Sequence, residues 1–201
     1  MKTVKSTPIV AIANHKGGTG KTTTTVNVAA ELARLILKKS SVETKKGRNL
    51  AVLVVDLDPQ ANASLHIGKK HPSDIPITTA ELLLSEADKL PLSIHEETNL
   101  DGVSLIYGSL ALGRAEDKLK DETPRPSEEL RRKLEPLIGI YDIILIDCPP
   151  SLKLLTSNAL AAATHLLIPV ESGSQYGLYG VSDLLKHVEK IRQVNPHLEL
   201  L

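Results

Sequence analysis

Aliphatic runs alternate with stretches of helical character along this chain. Residues 9–13, 50–55, 103–107, 143–146 and 165–170 read as strands. They are continuous apolar runs, the pattern of strands buried on both faces rather than on one. Between them, residues 26–33, 79–84, 110–120, 152–163 and 181–194 read as helices, and Ser127 with Glu129 and Leu130 can start another that runs through 137. The polar, mostly basic connection 38–48, the proline-bearing 71–78 and the breaker-rich 121–127 read as loops. Strands and helices alternating at this spacing predict an α/β fold: a doubly wound, mainly parallel sheet with helices on both faces. At 201 residues the chain is most simply one domain, with 38–49 and 121–127 as insertions within it.

The first strand, Ile9-Val10-Ala11-Ile12-Ala13, runs into His15-Lys16-Gly17-Gly18-Thr19-Gly20-Lys21-Thr22-Thr23, and a helix follows. Strand, glycine-rich turn and helix is the context a phosphate-binding loop requires. Successive backbone N–H groups can curl around phosphate oxygens, and the helix N-terminus adds the positive end of its dipole. Gly17, Gly18 and Gly20 let the backbone approach a phosphate without a Cβ in the way. Lys21 would reach the β- and γ-phosphates and the Thr22 hydroxyl would ligate Mg²⁺. The nucleotide-binding candidates are therefore Lys16, Gly17, Gly18, Thr19, Gly20, Lys21, Thr22 and Thr23.

Two more segments carry carboxylates to strand ends, where open α/β sheets place their ligands. Asp56-Leu57-Asp58-Pro59-Gln60-Ala61-Asn62 follows the second strand, and Pro59 stops that strand. Taken alone, Asp58-Pro59 also fits a strand cap and a turn. Ile143-Ile144-Leu145-Ile146-Asp147 delivers an aspartate after four aliphatic residues, as a Walker B strand does for its metal shell, and Cys148-Pro149-Pro150-Ser151 follows.

The glycine loop departs from G-x-x-x-x-G-K-[ST]: His15 stands where the first glycine is expected, and a second lysine, Lys16, precedes the double glycine. This arrangement resembles the deviant Walker A box of the ParA/MinD family of P-loop ATPases, and the aspartate segment resembles that family's D-x-D-P-Q-G-N motif, with Ala61 in place of glycine. Weaker matches at Asp147-Cys148-Pro149-Pro150-Ser151, at Ser157-Asn158-Ala159-Leu160 and at 169–180 extend the resemblance over nearly the whole chain, although Gly177 and Tyr179 replace the usual alanine and glutamate. The resemblance implies an ATPase that uses ATP and Mg²⁺ and forms a homodimer around two bound nucleotides. Lys16 would reach across to the partner's phosphates, Asp58 would orient the attacking water, and Asp56 and Asp147 would stand near the metal, acting on it through water. It further implies non-specific DNA binding, a cargo-bound ParB-like activator, and a cytoplasmic, nucleoid-associated location.

The family commonly continues past Leu198-Glu199-Leu200-Leu201 with a strand and helices, so the chain is expected to be one ATPase domain, 1–201, ending before them. Two other readings stay open: a MinD-like ATPase that positions itself on membranes, which needs a terminal amphipathic helix not found here, and a nucleotide-gated adaptor with little hydrolysis.

Composition narrows the remainder. Aromatic residues are 2% of the chain, four tyrosines with no Phe or Trp, so the core must be aliphatic. A formal net charge of +0 gives no global pull toward nucleic acid or membrane; DNA contact would need a local patch. The single Cys148 excludes an intramolecular disulfide and a multi-cysteine metal site, and argues against the related nitrogenase iron protein. Cys148 reads as a small buried side chain, Arg131-Arg132-Lys133 as a solvated helix face, and the seven histidines lack zinc-ligand spacing. No apolar stretch approaches the ~20 residues of a membrane span.

Overall fold

In the computed structural model, residues 7–40, 52–85, 90–171 and 175–201 are described. The order of elements is β1 (Ile9–Ile12), α1 (Lys21–Ser40), β2 (Val52–Asp56), α2 (Asn62–Ile67), α3 (Thr79–Leu84), α4 (Leu90–Ser93), β3 (Ile94–His95), β4 (Val103–Ile106), α5 (Ala111–Glu122), α6 (Glu129–Leu134), β5 (Ile143–Asp147), α7 (Leu154–Ala162), β6 (His165–Leu167), α8 (Gln175–Ile191) and β7 (Glu199–Leu200). The strands form one sheet in the order β3-β4-β2-β5-β1-β6-β7. Each pair is parallel except β3 with β4.

Side chains alternate across this sheet and feed two aliphatic cores. Ile9, Ala11, Leu53, Val55, Ile144 and Ile146 point to one face, covered by α3, α5, α6, α7 and α8. Val10, Ile12, Val52, Val54 and Leu145 point to the other, covered by α1 and α2. Thr25, Ala29 and Ala33 lie four residues apart on α1 and are fully buried, so small side chains bring that helix close to the strands. Residues 155–162 of α7 are buried all round, as expected of a helix enclosed by protein.

The structure departs from the sequence expectations at element ends. Lys38, Lys39 and Ser40 belong to α1, and the rest of the basic connection 41–48 lies outside the described residues, as do Leu50 and Ala51. The helix expected through 137 is divided: α6 is flanked by 3-10 turns at Pro126–Glu128 and Glu135–Leu137, each with proline at its start, where the missing N–H costs nothing. β6 stops at Leu167 rather than 170, and α8 begins at Gln175 rather than 181; the side chains of 175–179 lie outside the described residues. The solvated-face reading fails for Lys133, which is fully buried with its Nζ donating to the Ser85 carbonyl. Arg131 and Arg132 stay on the surface, paired with Glu128 and Glu129. The helix α2, α4 and the antiparallel edge strand β3 have no counterpart in the sequence reading, and Glu199–Leu200 pair parallel with β6.

Asn158, from the helix after the aspartate strand, ties this layer together. Its Oδ1 accepts from Leu130 N at 3.0 Å, and its Nδ2 donates to Pro126 O at 2.8 Å and Leu154 O at 3.0 Å. It thereby satisfies an N–H in the first turn of α6, one that has no intrahelical partner. Asn158→Ala would leave the buried Leu130 N–H and Pro126 carbonyl without these partners. It is expected to lower the unfolding free energy by about 2–3 kcal/mol and the melting temperature by roughly 5–10 °C, read by urea denaturation and thermal melts.

Candidate active site

The strands β1, β5 and β2 lie side by side and end in one row: Asp147 is in register with Ile12 on one side and Asp56 on the other. The chain therefore leaves all three at the same carboxyl edge. From β1 it passes through residues 13–20 into α1. Gly18 and Gly20 have φ of 74° and 80°, the left-handed region that glycine enters without a Cβ penalty. A Cβ built on Gly17, Gly18 or Gly20 would meet no atom within 4 Å, so the loop's inner wall is bare backbone facing open space. Behind it stand the 20 residues of α1, with no acidic residue in the first turn to oppose an anion.

Two lysines flank this cradle in different ways. Lys21 is buried, and its Nζ donates to the Lys16 carbonyl at 2.8 Å, bracing the loop from inside. Burial lowers its pKa, while Asp147 and Asp58 act in the opposite direction. The Lys16 side chain stays partly exposed, and its Nζ lies 3.2 Å from Glu171 Oε2, just beyond β6. The Thr19 side chain is buried in the loop, whereas Thr23 is exposed on the first turn of α1.

Asp147 is fully buried beneath the loop. Its Oδ2 accepts from Thr22 Oγ1 at 2.7 Å and its Oδ1 from Thr25 Oγ1 at 3.0 Å. Desolvation raises its pKa to about 6 against the lowering effect of those two hydroxyls. A threonine hydroxyl held on a carboxylate is a hard-oxygen donor set, which suits Mg²⁺, an ion that keeps several waters and takes few protein ligands. Among the described residues no group of three or more His, Cys, Asp or Glu could hold a metal by itself.

Asp56 is also fully buried, but its carboxylate turns into its own segment. Oδ1 accepts from Asp58 N at 3.1 Å, and Oδ2 accepts from Ser64 N at 2.8 Å and Ser64 Oγ at 2.7 Å. Ser64 Oγ in turn accepts from Gly108 N at 2.9 Å, and a Cβ on Gly108 would lie 2.8 Å from Asp56 Cγ. Desolvation first, and the Asp147 charge second, push Asp56 up to about 7. Its contacts make it the organiser of the turn that presents Asp58, which sits at the rim with Oδ1 accepting from Gln60 N at 2.9 Å. Ala61 adopts φ 53°, ψ 34°, and is the one non-glycine residue with positive φ among those described. That conformation costs a non-glycine residue ~1–2 kcal/mol. Partial compensation comes from Ala61 N donating to Asp58 O and from burial of its methyl group.

Every candidate from the three motifs thus lies along this edge, except that Asp56 faces the turn and Thr23 faces outward. Thr25, Ser64, Gly108, Glu171 and Gly180 were not foreseen. Thr25 carried a local signal, being one helical turn beyond Lys21, and Glu171 and Gly180 fall within the weak match at 169–180. Gly180 is needed because α8 crosses the loop so closely that a Cβ would lie 2.9 Å from Asn14 Oδ1. His15 faces the same helix, with Nδ1 3.7 Å from Asp183 Oδ2. Cys148 is buried, and burial holds its thiol well above its usual range.

The raised carboxylates give a signed pH dependence. Between the unfolded pKa of 3.8 and the folded value of about 7, Asp56 binds more protons folded than unfolded. Stability from this group is present at low pH and is lost as pH rises through that window. Ligand-free wild type should therefore lose unfolding free energy relative to Asp56→Asn between about pH 4 and about pH 7. Urea denaturation at each pH reads the difference; a constant gap would mean that Asp56 titrates as an ordinary carboxylate.

Comparison with known proteins places this site in context. The sequence model of the AAA domain family matches residues 7–200. The chain is 40% identical over 193 residues to the chromosome partitioning protein ParA of Myxococcus xanthus, covering 96% of this chain and 62% of that protein. It is 40% identical over 192 residues to the sporulation initiation inhibitor protein Soj of Bacillus subtilis, covering 94% and 67%. Among solved structures, cobyrinic acid a,c-diamide synthase from Mycobacterium smegmatis, with bound ADP and magnesium, superposes with a TM-score of 0.78 at 32% identity, covering 96% of this chain and 72% of that one. The chain spans roughly two thirds of the length of these curated relatives, 62% and 67% in the two cases. With its glycine cradle, paired lysines and two aspartate-ended strands, the chain belongs to the ParA/Soj group of deviant Walker A P-loop ATPases within the AAA domain family.

Proposed function

We propose that this chain is the ATPase domain of a partition or positioning protein that binds Mg-ATP, pairs with a second copy, holds DNA without sequence preference, and is reset by hydrolysis. The observation that carries the reading is the convergence of Lys16, Lys21, the Thr22–Asp147 pair and Asp58 around one open backbone cradle. The names of its relatives differ: chromosome partitioning in the first, inhibition of sporulation initiation in the second and a diamide synthase in the third. The second lysine of the loop favours partitioning.

Each residue has a role that its surroundings support. The N–H groups of 17–22 and the α1 dipole receive the phosphates, and Lys21 supplies fixed positive charge under them. Thr22 and Asp147 would hold Mg²⁺, which when bound neutralises charge on the β- and γ-phosphate oxygens. Asp58, set at the rim by the Asp56–Ser64 turn, holds a water in line with the γ-phosphorus. Lys16 of a second copy brings the last positive charge, so that hydrolysis waits on pairing. DNA, a cargo-bound ParB-like activator and a nucleoid location complete the proposal for the whole protein. Among the described residues no helix is long and apolar enough to cross a membrane.

Two substitutions and one binding assay test this. Asp58→Ala should keep nucleotide binding and lower phosphate release by about 10² or more; equal rates would remove the catalytic claim. Lys16→Ala should also keep nucleotide, yet lose ATP-dependent dimers in light scattering and lose roughly 10³ in turnover. Fluorescence anisotropy of non-specific duplex DNA should rise with Mg-ATP but not Mg-ADP, and fall with added salt as phosphate contacts must. No binding in any nucleotide state would separate this chain from the DNA-holding class.

A further inference from the structure

The reading above needs Lys16 to leave its own subunit, and the structure holds it there. Lys16 Nζ lies 3.2 Å from Glu171 Oε2 in the same chain. That contact is built from both sides. Beyond β6 the chain runs alongside the loop, with Ala13 N donating to Leu167 O at 3.1 Å and Asn14 Nδ2 donating to Pro169 O at 2.8 Å. These bonds carry Glu171 to the flank of the cradle. On the loop side, the Lys16 backbone is fixed because its carbonyl accepts from Lys21 Nζ. Gly180 of α8 backs it closely, its Cβ position lying 3.5 Å from Lys16 Cβ. The backbone of Lys16 is therefore rigid, while its ammonium is held by an ion pair in which the lysine side chain is 32% exposed and the glutamate 58%.

We propose that Glu171 is a positioning residue that restrains Lys16 on its own subunit until a stronger anion takes it. This rests on the reading that Lys16 acts in trans. A half-exposed carboxylate pair is weak, whereas a triphosphate presents several charges in a site walled from water by a second subunit. The exchange of Glu171 for phosphate therefore runs in favour of pairing, but each lysine must first give up its own carboxylate. Because a dimer uses two lysines, the restraint enters twice. An exposed pair of this kind accounts for about a threefold factor, so both together weaken pairing by about tenfold. Glu171 thus sets the concentration at which ATP-loaded chains meet.

The test measures the dimer dissociation constant by sedimentation with Mg²⁺ and a non-hydrolysable ATP analogue, for wild type, Glu171→Gln, Lys16→Ala and the double variant. Glu171→Gln should tighten pairing by about tenfold, and the gain should shrink as salt rises, since screening already loosens the wild-type pair. In the Lys16→Ala background, which does not pair, the same substitution should not restore pairing, and Glu171→Asp should keep wild-type behaviour. If Glu171→Gln leaves pairing unchanged or weakens it while Lys16→Ala abolishes it, the restraint is overturned and the trans role of Lys16 stands. Pairing regained by Glu171→Gln in the absence of Lys16 also overturns the restraint. If Lys16→Ala pairs like wild type, the trans reading itself fails.

Discussion

The buried carboxylate of Asp147 is the point on which this site depends. A charge in the centre of an aliphatic sheet is expensive unless hydrogen bonds and an opposing charge accompany it. Here the partners are Thr22 and Thr25, both on the first turns of α1, with Lys21 close enough to favour ionisation. Satisfying Asp147 therefore fixes the rotation of α1 about its axis and its height above the sheet. That placement fixes the loop before it, because Gly20 hands the chain directly into the helix. The parallel register does the rest, since Asp147 pairs with Ile12 at the start of the loop and with Asp56 at the start of the second turn. One electrostatic requirement thus couples three strands, one helix and the phosphate cradle.

The turn after β2 solves a similar problem by a different route. Asp56 is sealed in, and its three hydrogen bonds come from the turn it organises and from the first residues of α2. Ser64 relays the contact to Gly108 at the end of β4, where no side chain would fit. The effect is to hold Asp58 at the rim without spending its carboxylate on the fold's interior. Asp56 and Asp147 are neighbours in the sheet, and the Asp147 charge adds to the cost of ionising Asp56. A divalent cation near Thr22 would relieve that cost, which links metal binding to the stability of the sheet edge.

The sequence made the fold class, the loop and both aspartate strands legible because each rests on local pattern: aliphatic runs, glycine spacing and a carboxylate at a strand end. It did not reveal Lys133 as a buried residue, since Arg131-Arg132-Lys133 has the same composition whether or not α6 is covered by α3. Nor could it separate Asp56 and Asp58, two residues apart on one motif, of which Asp56 accepts from Asp58 N and Ser64 while Asp58 accepts from Gln60 N. The edge strand β3 escaped notice because two residues carry too little periodicity, and Ile94 and His95 gain their strand character only from β4. Glu171 and Gly180 lie more than 150 residues from the loop they touch, and no local rule connects them to it.

The two lysines of the loop show how one short motif can carry both a fixed and a portable charge. Lys21 is 7% exposed, braced on the Lys16 carbonyl and close to Asp147 and Asp58, so its charge is fixed within its own chain. Lys16 shares that brace through its backbone, yet its side chain leaves the cradle and rests on an exposed carboxylate. Moving Lys21 would cost the loop its internal support, whereas the Lys16–Glu171 pair is screened by solvent and is given up more easily. A charge that binds tightly at home cannot signal the arrival of a neighbour; a charge held weakly at home can. The proposed nucleotide-timed switch would use this difference in attachment between residues five positions apart, both set by the same stretch of backbone.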